Sequence, residues 1–173
     1  MRLLPIFAAS ALLASCSDMT GSSSSDPAAP GTSTKLLSVN PPSHWKVVVD
    51  KSAYPISMTV FNIPNPADPT LKESTNVVVA AYAADSKEAQ NTLATTRGRF
   101  VKTNLRTSRQ GDWDVESYSE IQGVTRYQIL DGTKVMRDKS LFVRLAWPNL
   151  PKNAPGYDGE MQRSFGQLLN QVH

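Results

Sequence analysis

Residues able to do chemistry are few in this chain and lie far apart. There are two histidines, His44 and His173, and one cysteine, Cys16. A zinc site needs three or four His, Cys or acidic ligands at recurring spacing, and neither histidine sits in a context that supplies the others. No Gly-x-Ser-x-Gly turn presents a nucleophile, and Gly111, Gly123, Gly132, Gly156 and Gly159 read as turn glycines, not as a phosphate-binding loop. The densest carboxylate set is Asp112, Asp114, Glu116 and Glu120. In a strand the last three share a face, with Tyr118 between the final two. Two-carboxylate sugar chemistry could use such an arrangement, but a solvated or charge-paired strand face is the commoner origin. Arg97, Arg99, Lys102, Arg106 and Arg109 form a basic run. Cations at a helix end suit its dipole, and an acidic partner or anionic surface is the alternative. No aromatic residues interleave with them and the formal charge is only +3, which argues against nucleic acid. The expectation is a protein without metal or cofactor that is not an enzyme.

Cys16 stands apart. Arg2 is followed by an apolar run over residues 3–13, broken only by Pro5 and Ser10, the pattern of a secretory leader. Such a run is too short to span a bilayer, which takes about 20 residues. It ends in Leu13-Ala14-Ser15-Cys16, which resembles the lipobox of bacterial lipoproteins. The resemblance implies that residues 1–15 are removed and that Cys16 is acylated on its thiol and new amino terminus. Several acyl chains, at about 0.8 kcal/mol per buried methylene, would hold the protein firmly to a membrane. By the same resemblance, Ser17 in place of an aspartate points to the outer membrane, facing the periplasm, with the inner membrane or cell surface as alternatives. A sole cysteine leaves no internal disulfide, so a packed core must supply the stability. Residues 17–34 carry almost no bulky apolar groups, which makes 16–35 a lipidated cysteine followed by a disordered tether with a reach of about 20–25 Å.

The remaining residues, 36–173, suffice for one domain. Their pattern predicts strands at 45–50, 56–62 and 77–84, the last apolar on both faces as a central strand is. A helix should start with Asp85 as cap and Glu88 reaching back. It should run towards Asn104 and bury Ala89, Leu93, Phe100 and Val101. Strands follow at 113–121, 124–130, 133–138 and 141–147, with Asp131-Gly132 as a hairpin turn. A last helix, capped at Asp158, carries the apolar stripe Met161, Phe165, Leu168, Leu169 and Val172. His44 should be exposed or edge-packed, and His173 frayed. The expected fold is α+β: a single domain with a mainly antiparallel sheet of about seven strands sandwiched by two helices.

That order of elements resembles the PsbP-like family, which includes bacterial lipoproteins and DcrB-like periplasmic proteins. The residues carrying the likeness are Asn76-Val77-Val78-Val79, Arg126-Tyr127 before Asp131-Gly132, and Met161 through Phe165. It implies an antiparallel sheet between helices and a role in binding, and it brings no metal or catalytic motif to place on this chain.

The expected function is therefore that of a lipid-anchored envelope lipoprotein working as a non-enzymatic protein-binding or accessory module, its partners the membrane and another envelope protein. An immunity or inhibitor lipoprotein against an envelope-targeted toxin or hydrolase is one alternative, and an unrecognised hydrolase another. The candidate partner-binding surface is formed by loops 62–74 and 148–158, whose Pro64, Pro66, Pro69, Pro148, Pro151 and Pro155 lower the ordering cost of docking. Trp147 and Tyr157 are the candidate anchors.

Overall fold

A computed structural model describes residues 36–42, 44–64, 74–98, 101–150, 153 and 155–173. Thr34–His173 form one compact unit. Cys16, Pro66, Pro69, Phe100 and Pro151 lie outside the described residues.

Seven strands make one antiparallel sheet. They are β1 (Lys46–Ser52), β2 (Ile56–Ile63), β3 (Thr75–Ala83), β4 (Thr103–Gln110), β5 (Trp113–Gln122), β6 (Thr125–Val135) and β7 (Lys139–Pro148), with helices α1 (Lys87–Gly98) and α2 (Tyr157–Gln171). The spatial order is β1-β2-β3-β7-β6-β5-β4, so β4 to β7 form a meander whose last strand docks against β3. The expected α+β class, with one sheet and two helices, is what the chain adopts.

Side chains alternate across each strand, and the two faces bury different things. Leu141, Val143, Leu145 and Trp147 of the central strand β7 point to the same side as Phe61, Val77, Val79, Trp113 and Val115. The stripe Met161, Phe165, Leu168, Leu169 and Val172 closes over them. A large apolar side chain fully buried in this way contributes roughly 1.5–3 kcal/mol, and Phe165 and Leu145 have no exposed surface at all. On the opposite face Ala89 and Leu93 of α1 pack against Ala80, Tyr82 and Phe142.

Several local expectations are overturned. Asp131-Gly132 is not a turn but lies inside β6, where Gly132 pairs with Val115 and Val143. A Cβ there would sit 2.9 Å from Leu169 Cδ2 and 3.3 Å from both Phe165 and Trp113, so the glycine lets α2 approach the sheet. The tight turns with positive φ are at Gly111 and Gly123, and residues 133–135 end β6 without forming a strand of their own. α1 stops at Gly98, and residues 103–110 form the edge strand β4. Val101, expected in the core, is 84% exposed. Ser86, not Asp85, caps α1, its hydroxyl accepting from Ala89 N–H at 3.2 Å, while Asp85 accepts from the Tyr54 hydroxyl. α2 begins after Gly156 with no side-chain cap, so Asp158 does not cap it. His173 is not frayed along its backbone, which exchanges two hydrogen bonds with Ser38.

Candidate functional site

Chain entry into β1, the end of β2 and the flank of α2 enclose a groove of about 350 Å³. Trp45 and Ile63 contribute its apolar floor with Met161 and Leu168 from α2, while Pro64 stands at its mouth. Trp45 is fixed edge-on against Phe61, with ring centroids 5.7 Å apart. The exposed His44 imidazole stands nearly perpendicular to the Trp45 indole, with ring centroids 6.5 Å apart, as expected for an edge-packed histidine. Glu160, Arg163, Gln167 and Gln171 supply a mixed polar rim. A depression on the other flank of α2, between the β4–β5 turn and His173, is broader and more open.

Two of the expected partner-binding residues, Pro64 and Tyr157, therefore meet in one groove although 93 positions separate them in sequence (157 − 64). Trp147 does not join them there. Neither aromatic ring offers the outward face expected of an anchor, since both residues are 3% exposed. Trp147 Nε1 donates to Asp158 at 2.8 Å, and the Tyr157 hydroxyl shares a 2.6 Å hydrogen bond with Thr75. Amphipathic rings of this kind bury their bodies and still need a polar partner at the tip. Here those partners clamp the start of α2 onto β3 and β7. Burial pushes the Tyr157 phenol above its ordinary pKa, and Glu160 and Asp158 add to this against the Thr75 bond. The hydroxyl thus stays neutral and hydrogen-bonded.

Sequence reasoning missed Trp45, Arg163, Gln167 and Gln171 as groove residues. A signal was present, because positions 160, 163, 164, 167 and 171 repeat at helical spacing beside the buried stripe. Nothing local shows which sheet edge that second stripe will meet.

The carboxylates of β5 alternate onto one face as expected, and on it Glu116 is charge-paired. Glu116 accepts from Lys102 and, at 3.5 Å, from Arg97. Burial would raise its carboxyl pKa, but these two cations outweigh burial and hold it below the usual carboxylate range. Asp131, opposite Glu116 across the ladder, receives Arg144 in a two-pronged pair at 2.7 and 2.8 Å and the Tyr118 hydroxyl at 2.9 Å. Burial and the Asp131 charge push the Tyr118 phenol far above its ordinary value. Arg144 also reaches the Thr96 carbonyl in the last turn of α1 at 3.5 Å. Glu120 is buried, one oxygen accepting from Gln122 and the other without a partner among the described residues. An open depression of about 390 Å³ lies beside it, lined by Arg97, Thr107, Asp114 and Glu116, while Arg144, Asp131 and Tyr118 tie α1 to the sheet. Among the described residues no three His, Cys, Asp or Glu side chains converge as metal ligands, and no helix is long and apolar enough to cross a membrane.

No family model matches the chain, and no curated protein sequence matches it. Several solved structures are similar, two of which follow. One is a protein of Bacteroides thetaiotaomicron, 13% identical with a TM-score of 0.45, matched over 80% of this chain and 44% of its own length; this chain thus spans less than half of that protein. The other is LpqN of Mycobacterium tuberculosis, involved in cell envelope biogenesis, 13% identical with a TM-score of 0.46, matched over 79% of this chain and 81% of its own.

Proposed function

We propose that the chain is a lipid-anchored lipoprotein of the bacterial envelope, held by acyl chains on Cys16 and facing the periplasm from the outer membrane. Its PsbP-like domain works as a non-enzymatic module that binds another envelope protein. The observation that carries the binding reading is the groove beside α2. Its floor of Trp45, Ile63, Met161 and Leu168 is apolar, its rim offers both charges through Glu160 and Arg163, and Pro64 stiffens its mouth. Preformed concave sites with an apolar floor and a few polar groups are the usual form of a recognition site. Trp147 and Tyr157 contribute by fixing the helix that forms one wall.

The test places a photo-crosslinking side chain at Gln167, in the groove, and at Thr107, on the β4 edge, in cells producing the full chain. Gln167 should give a discrete adduct with one envelope protein, lost when Arg163→Glu is added, while Thr107 gives none. The absence of any adduct, or equal adducts from both positions, would remove the groove from the proposal. Cys16→Ser should move the chain out of the membrane fraction without unfolding it, and unchanged membrane attachment would defeat the lipid anchor.

A further inference from the structure

We propose that one corner of the sheet is a bilayer-docking surface, made by the β5–β6 turn and the start of β4, which dips aliphatic side chains into an anionic leaflet. Three aliphatic residues stand out of the fold there: Val101 is 84% exposed, Ile121 65% and Val124, in the turn, completely. Ile121 lies directly across the ladder from Arg126. Thr103 pairs with Ser119, and the same pairing carried two residues further sets Val101 beside Ile121 on the other side. Val101, Ile121 and Arg126 therefore form one row across the sheet end. Leu105, at the irregularity of β4, adds a fourth half-exposed aliphatic group next to the exposed Arg106.

Charge identifies the occupant. Residues 99–110 contain no carboxylate, and residues 117–130 contain only Glu120, which is buried. Arg106 and Arg126 make no ion pair among the described residues, whereas Arg97, Lys102, Lys134 and Arg144 all do. A convex turn tipped with aliphatic groups and ringed by unpaired cations suits lipid headgroups over acyl chains. A protein hot spot would instead call for exposed aromatic anchors, and among the described residues of this corner no aromatic ring is exposed. Other exposed aliphatic residues lack this setting. Val135 and Met136 neighbour Asp138, and Val47 to Val49 run along an edge strand beside Asp50.

Reach is sufficient. Leu36, whose carbonyl accepts from Lys139, lies at the opposite end of the sheet. The longest strand has 11 residues, which makes the sheet about 37 Å long, while residues 16–35 can extend to about 65 Å. A chain anchored at Cys16 can therefore turn this corner to the bilayer, and the inference uses the lipid-anchor reading only to bring the domain close to lipid.

The test reconstitutes the full lipidated chain into vesicles of phosphatidylcholine alone or with phosphatidylglycerol, with Val124→Trp or Val135→Trp as the probe. Flotation reports the anchor, and quenching by brominated acyl chains reports insertion of each probe above the buried native tryptophans. In phosphatidylglycerol vesicles the probe at 124 should shift to the blue and be quenched, while the one at 135 stays in water. Arg106→Glu with Arg126→Glu should reduce the docked-to-undocked ratio on the order of tenfold or more. A chain that floats while its probe at 124 stays in water, or docks regardless of the two charges, overturns the proposal and leaves the anchor standing. A probe shielded only in native membranes that contain envelope proteins assigns the corner to a protein instead and likewise overturns it. Failure to float sinks the anchor reading; the docking surface then stands or falls on whether added phosphatidylglycerol vesicles quench the probe at 124.

Discussion

On the α2 face of the sheet Phe165, Leu168 and Leu169 meet Trp113, Leu145 and Val143 with no charged group between them. On the α1 face Ala89 and Leu93 cover a much smaller apolar cluster, and charges beside it complete the attachment through Arg144, Asp131, Tyr118 and Thr96. The difference is physical. An apolar face gains from the area it removes from water and tolerates sliding, because that attraction has no direction. A buried ion pair gains little net free energy, since desolvating two charges cancels most of their attraction. What it adds is direction, because only one register of β6 against β7 puts Arg144 opposite Asp131. One face therefore stabilises the domain, while the other aligns it.

The sharpest way to break this contrast is to hollow out the apolar face. Phe165→Ala should lower unfolding free energy by about 3–5 kcal/mol in denaturant titration, and a loss below about 1 kcal/mol would mean that α2 is not the main source of stability. Arg144→Ala comes next, at about 3 kcal/mol, because it leaves the Asp131 carboxylate, 1% exposed, without its counter-charge. Replacing the whole network with Arg144→Met, Asp131→Leu and Tyr118→Phe should recover most of that loss. If the triple variant stays as unstable as the single one, the network contributes stability in its own right, and the division between the faces fails.

The smallest effect concerns acid. Glu116 has a folded-state pKa below its unfolded value, so its contribution is present above the unfolded pKa near 4.3 and is lost as pH falls through the lower, folded one. Since Arg97 is 40% exposed, the contribution should stay below about 1 kcal/mol. Glu116→Gln should remove that contribution, lowering stability at neutral pH by no more than about 1 kcal/mol, and flatten the decline of stability below about pH 4.5. An unchanged acid limb would show that Lys102 and Arg97 do not hold this carboxylate in solution.

The sequence alone determined those elements whose residues declare their environment. The α2 stripe is buried residue for residue, Met161, Phe165, Leu168, Leu169 and Val172 alike, because a period of 3.6 needs only one apolar surface to face. β2 and β3 were equally legible, one through β-branched alternation and the other through a continuous apolar run. The number of strands was also anticipated, although not which ones, since one strand was missed and another counted twice. Only the tertiary structure decided the rest. β4 is exposed along its whole length; its polar residues carry no burial pattern, and it is a strand because β5 offers it hydrogen bonds. Asp131-Gly132 has the chemistry of a tight turn, but Arg144 claims the aspartate and α2 needs the space above the glycine, so the chain runs straight through. Trp147 and Tyr157 looked like anchors for a partner, and Asp158 and Thr75 turned both inward. The groove brings together Trp45, Pro64 and Arg163, which lie far apart along the chain, and local propensity cannot say which distant segments will meet.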